Sequence, residues 1–359
     1  MQVRTEAASA KAVTEMPGGP ISGPSAWFGK DMESSTAWMY SLSIEDLDEL
    51  HDALQTVTSS GLDIAKITRK TFPLPKLGAT LDKLRGDVLR GRGFTLIRGL
   101  PMERYSVEEA AKLYWGIGCY FGQAVPQNAK GHLLGHVIDL GRDQHDTSAR
   151  IYQTTARQTY HVDTCDIVSL LCLEKAKSGG LSSLVSAVTI YNEMSKRRPD
   201  LAAVLFEYFA ADRRDEIPPG RNPYYSAPIF SWHDGLLTTQ ITRRYIESAR
   251  RFPDLQPLTD IQIEALDLFE TLADEHCLFM TFEPGDMQFV HNHQILHDRT
   301  EFEDFPDKKR HLLRLWLCPP DGRPLPPSFE DKYNGDTEIG RRGGMYIDGA
   351  KLHAPLEPV

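Results

Sequence analysis

Apolar positions in the first part of the chain recur at helical spacing. In the run 43–54, Ser43 supplies a cap, Glu45 and Asp46 fall in the first turn, and Leu47, Leu50 and Leu54 form a stripe. A second helix is predicted over residues 77–89. GRGFTLIRGL (91–100) alternates and is rich in β-formers, so it reads as the first core strand. Ser106 and Glu109 make a capping box that opens the next helix. Beyond it the period shortens, in GHVIDL, RIYQTT, QTYHVD and IVSLLCL (167–173). Gly179-Gly180 marks a turn, and LSSLVSAVTIYNEM passes from strand into helix. Helices are expected over 195–210 and 259–276, and a β pair at 286–293 and 311–318 closes the pattern. No internal repeat is visible.

Short strands from distant parts of the chain, with helices grouped between them, predict a mainly β fold with flanking helices. The expected core is a double-stranded β-helix, or jelly roll, with a helical insert at about 190–280. Residues 1–25, rich in Ala, Gly, Pro and Ser, read as a mobile arm. Residues 26–320 read as a single domain and 321–359 as an irregular tail.

Composition narrows the function. At 359 residues the chain exceeds the roughly 250–300 at which single cores stop growing. The candidate ligands span most of that length, which favours one decorated domain. A net charge of -10 gives no global attraction to nucleic acid or to an anionic membrane. Cys119, Cys165, Cys172, Cys277 and Cys318 form no CxxC pair, so reduced buried thiols are expected. The opening lacks an apolar signal region and no run suits a membrane span, so a cytoplasmic setting is expected. A homo-oligomer is compatible with all of this.

The most informative motif is His161-Val162-Asp163. In an extended strand, positions i and i+2 project from one face, so both side chains could reach one metal ion. His-x-Asp alone is common by chance, and a lone histidine is more often a satisfied structural one. Context shifts the balance, because Asp163 stands at the entrance of the apolar run IVSLLCL, where an unpaired carboxylate is costly. A third ligand could come from His291, His293 or His297, and position relative to the downstream arginines favours His297. Two imidazoles and a carboxylate form the facial triad of non-haem Fe(II) oxygenases. RHLLRLWLC places Arg310, Leu312, Arg314 and Trp316 on one strand face and Leu313, Leu315 and Leu317 on the other. The leucine face should pack under helices, which sends both arginines inward, where they suit a carboxylate.

HVD, SGGLSSLVSAVTIYNEM, GDMQFVHNHQILHDRTEF and RHLLRLWL together resemble the taurine dioxygenase-like (TauD/TfdA) family, including its clavaminate synthase-like members, over residues 90–320. The resemblance implies Fe(II) ligands at His161, Asp163 and His297, with 2-oxoglutarate and O2 as cosubstrates. It implies that Arg310 grips the far carboxylate of 2-oxoglutarate, assisted by Ser182, with neighbouring Ser183 as the substitute. Arg314 would face the oxoacid or the substrate. His291 and His293 depart from the family's commoner Asn and Arg. A small-molecule substrate with an anionic group is expected, contacted by Arg314, Tyr160 and Asn128. Gln127 and Arg157 lie near, and Trp27, Trp38, Tyr40, Tyr224, Tyr225 and Trp232 are available for a lid or aromatic cage. The expected outcome is hydroxylation of a C–H bond, with release of succinate and CO2.

Two other readings compete. A zinc hydrolase could use the same triad but would not need Arg310. An inactive jelly-roll binding protein would be expected to lack a ligand or that arginine.

Overall fold

The computed structural model describes residues 15–144, 150–346 and 349–358. The first strand, β1 (Met39–Ser41), leads into α1 (Ile44–Ser59), α2 (Leu77–Arg90), β2 (Phe94–Arg98) and α3 (Val107–Gly118). Short β3 (Gln123–Ala124) and β4 (Leu134–Ile138) precede β5 (Gln158–His161), β6 (Ile167–Glu174) and β7 (Ser182–Ser186). Helices α4 (Ala187–Arg197), α5 (Pro199–Val204) and α6 (Asp260–His276) belong to the insert. The last strands are β8 (Leu278–Met280), β9 (Met287–His291), β10 (Ile295–Arg299) and β11 (His311–Cys318).

The helix starts follow the caps read from the sequence. Ser43 with Asp46, Ser106 with Glu109, and Thr259 with Gln262 each form a reciprocal capping box. Each box satisfies backbone donors that a helix end leaves unpaired.

Two sheets face each other. The larger runs β1-β2-β9-β6-β11-β3, with β4 also on β11, and the smaller runs β8-β7-β10-β5. Among these pairings only β1–β2 is parallel. Between the sheets, Phe94, Val168, Val290 and Trp316 of the larger meet Leu184, Leu278, Met280 and Ile295 of the smaller. This is the jelly-roll core.

Strand parity then decides what lies outside. Leu313, Leu315 and Leu317 leave the opposite face of β11 and bury against α1, α2 and α3. Phe289 stacks on Phe121 there at 3.7 Å, and each such buried ring contributes about 1.5–3 kcal/mol. The outer face of the smaller sheet, through Val185 and Leu296, packs under α4, α5 and α6.

Two expectations need correction. The helix predicted over 195–210 is broken, because Pro199 lacks an N–H and opens a new helix that stops at Val204. Residues 208–212 instead form a strand paired with 224–228. Residues 1–14 lie outside the described residues, but 16–25 of the proposed mobile arm are tied down. Met16 and Ile21 pack on the insert, Asn192 bonds both the N–H and the carbonyl of Ile21, and Ser186 donates to the Ser25 carbonyl. Apolar side chains within the Gly/Pro-rich stretch supply that anchorage. The tail past residue 320 has only a short helical turn, yet buried Arg342 clamps it to buried Asp166 through a bidentate pair of 2.5–3.1 Å.

Candidate metal centre

β5 and β10 are neighbours in the smaller sheet, and their register sets His161 directly opposite His297. The two rings lie with centroids 4.1 Å apart. Asp163 follows two residues after His161, just past the strand end, and its Oδ2 is 3.8 Å from His297 Nε2. One donor atom from each of the three lies within 4.8 Å of the others. Donors about 4 Å apart can share one ion at bonds of about 2.1 Å, so a small closing movement would complete the set.

Electrostatics prepare these donors for a cation. Burial drives His297 down to about 3 and also lowers His161, leaving both imidazoles neutral with lone pairs available. Burial alone would raise Asp163, but the Arg314 guanidinium foremost and a hydrogen bond from Trp316 lower it, and the group stays ionised. Trp316 Nε1 donates to Asp163 Oδ2 at 2.8 Å, and Asn292 Oδ1 accepts from the Asp163 N–H. His161 Nδ1 is held by the Thr159 carbonyl at 2.8 Å, which turns Nε2 toward the centre, where it pairs with the Gln158 amide at 2.8 Å. Such outer partners fix ligand orientation.

One hollow joins the three candidate ligands to Arg310 and Ser182. Arg310 is buried, and among the described residues its guanidinium has no hydrogen-bond or ion-pair partner; its backbone N–H bonds Asp304. Burial pulls it down to about 10, so it remains a cation. Gly180, at φ +66°, lets it pass: a Cβ there would stand 2.9 Å from Arg310 Nε. Ser182 faces the hollow and accepts from Gln288 at 3.3 Å, whereas Ser183 turns away to Tyr160. Parity along β7 thus separates the two serines.

The larger cavity, about 430 Å³, opens on the other side of His161 and Asp163. Arg314 bridges both spaces, with Nε donating to Gln127 at 2.7 Å and Nη1 at 3.6 Å from Asp163. Tyr152 lies against its guanidinium, 4.6 Å to the ring centre.

Other expected contacts are not brought together. Tyr160 neighbours His161, so strand alternation sends it to the opposite face, where its hydroxyl bonds Ser183 at 2.7 Å within the insert core. Asn128 folds onto its own loop, pairing with His132 and Lys130, and lines a separate small recess. His291 and His293 lie away from the centre, with His293 3.3 Å from Asp166. Arg157 lines the cavity but is engaged by Asp298 and Asp274. Of the six aromatics considered for a cage, Tyr225 alone lines it. Sequence reasoning missed Gln158, Tyr152, Tyr245 and Lys332 on its wall. Trp316, two residues from Arg314 on the same face, was within reach of the parity argument.

The family described as taurine catabolism dioxygenase TauD, TfdA family matches residues 40–316. A FR-33289 synthase of Streptomyces rubellomurinus is 33% identical over 319 residues, covering 86% of this chain and 94% of its own. A uridine-5'-phosphate dioxygenase of an Amycolatopsis species is 31% identical over 173 residues, covering 45% of this chain and 62% of that protein. Among solved structures, an asparagine oxygenase with Fe(II), hydroxyasparagine and succinate superposes with TM-score 0.60 at 16% identity, covering 78% and 93% of the two chains. The chain belongs to the TauD/TfdA family and is an iron(II)- and 2-oxoglutarate-dependent dioxygenase.

Proposed function

We propose that His161, Asp163 and His297 hold the iron and that Arg310, with Ser182, takes the far carboxylate of 2-oxoglutarate. The observation that carries this is the single hollow with three converging donors at one end and a buried, unpartnered guanidinium at the other. Bound there, iron supplies the O2 activation that couples decarboxylation of 2-oxoglutarate, to succinate and CO2, with insertion of one oxygen atom into a substrate C–H bond. The chain's own part is orientation and exclusion of water. Trp316 and Asn292 fix Asp163, the Thr159 carbonyl fixes the His161 tautomer, and Gln127 aims Arg314.

The substrate is a small molecule with an anionic group, received in the 430 Å³ cavity beside Arg314. The relative named for uridine-5'-phosphate supports an anionic substrate. The oxygenase domain spans about 26–320, with the insert roofing one flank. A cytoplasmic setting accords with five free cysteines, and no described helix is long and apolar enough to cross a membrane.

The test is succinate formation from 2-oxoglutarate with Fe(II) and air, screened against phosphorylated, carboxylated and amino-acid substrates. One class should raise succinate in step with a product heavier by one oxygen. Succinate without oxygenated product from any class would contradict the substrate reading.

A further inference from the structure

The segment beyond β11 lies outside the family match, which ends at residue 316. It is nevertheless built into the substrate chamber. Arg342 grips Asp166, Arg323 donates to the Leu237 carbonyl and to Gln294, and the N–H groups of Gly344 and Met345 bond the carbonyls of Thr164 and Pro126. Leu325, Phe329 and Tyr333 form a small core of their own. These ties carry Lys332 to the cavity wall, where it is only 6% exposed.

Lys332 differs from most cations of that wall. Arg150 is paired with Glu216, Arg213 with Asp331, Arg157 with Asp298 and Asp274, and Arg243 with Glu247, Asp267 and Glu270. Among the described residues the Lys332 ammonium has no hydrogen bond and no ion pair. It lies 5.9 Å from the centre of the Tyr333 ring. The carboxylate that acts on it, Asp163, is a proposed iron ligand. A buried charge without a partner is costly, and an incoming anion would relieve that cost. Arg314, another cation of that wall, lies 3.6 Å from Asp163.

We infer that Lys332 is a substrate-binding residue which, with Arg314, receives a phosphoryl-class dianion of the substrate. A compact ammonium and a planar guanidinium lining one cavity suit a tetrahedral dianion, the first as a point charge and the second through its fork. The inference rests on the iron and 2-oxoglutarate reading above and adds the substrate's charged group and a residue outside the family match. Burial lowers Lys332 to about 8, so it is still mainly charged at neutral pH, and a bound dianion would hold it so.

The test uses the enzyme loaded with Fe(II) and saturating 2-oxoglutarate under nitrogen, with inorganic phosphate as the probe. Broadening of the phosphate 31P resonance by the paramagnetic iron reports binding, and the visible charge-transfer band reports an intact centre. Wild type should show saturable broadening that equimolar acetate does not abolish. Lys332→Met and Lys332→Gln should weaken phosphate binding at least about tenfold with the band retained, and Lys332→Arg should largely restore it. Phosphate binding unchanged in both neutral variants, equal loss in Lys332→Arg, or no saturable broadening in wild type would overturn the inference. A wild type that forms no band would instead bring down the iron reading, so the two failures are distinguishable.

Discussion

His297 stands directly across the antiparallel ladder from His161, their rings 4.1 Å apart, so the backbone register itself sets the spacing of two proposed iron ligands. The third proposed ligand has no such ladder. Asp163 lies beyond the strand end and is oriented by side chains, Trp316 Nε1 on its carboxylate and Asn292 on its backbone.

That difference predicts the effect of Trp316→Phe. The ring still packs, but Asp163 loses its donor. Iron affinity should fall about 10- to 100-fold, the usual range for an outer partner of a metal ligand. Competitive Fe(II) titration checks it, and unchanged affinity would show that Asp163 is held by other means.

Among the described residues the Arg310 guanidinium has no hydrogen bond or ion pair, only the Phe302 ring 5.3 Å away, so its worth should appear mainly when 2-oxoglutarate is present. Arg310→Met should raise the KM for 2-oxoglutarate about 10- to 150-fold, from loss of a charge-assisted hydrogen bond of about 1.5–3 kcal/mol. Its thermal stability should not drop, since an unpartnered buried charge is removed. Steady-state kinetics and a melting curve together decide this.

Tyr160→Phe tests the corrected position of this residue. Its hydroxyl bonds Ser183 inside the insert core, so the change should cost about 1 kcal/mol of stability. Substrate KM should be unaltered. A selective rise in KM with unchanged melting would place the phenol in the chamber after all.

The same parity rule shows what the sequence could and could not yield. It correctly sends Leu313, Leu315 and Leu317 to the helix-covered face, and Arg310 and Arg314 inward. Applied one residue before His161, it would also have excluded Tyr160 from the site. Asn128 sits in a loop whose self-pairing with His132 has no periodic signature. Lys332 could not be found this way, because its placement depends on the Arg342–Asp166 clamp between parts of the chain far apart in sequence. The break at Pro199 was legible, since proline opens helices more readily than it continues them.

Buried histidines predict how stability depends on pH. Burial pushes His293 and His311 each down to about 4. In the unfolded chain they titrate near about 6.5, so below that pH the unfolded state binds more protons. The melting temperature of the metal-free protein should therefore fall as pH drops from about 6.5 toward 4.5. Scanning calorimetry across that window checks the sign, and a melting temperature that rises on acidification would refute it.

The most direct measurement is anaerobic titration of the metal-free protein with Fe(II) in the presence of 2-oxoglutarate, followed by its visible charge-transfer band. The account predicts a band that saturates at one iron per chain and is absent in Asp163→Ala and His297→Ala. A band of full intensity in either variant would contradict it.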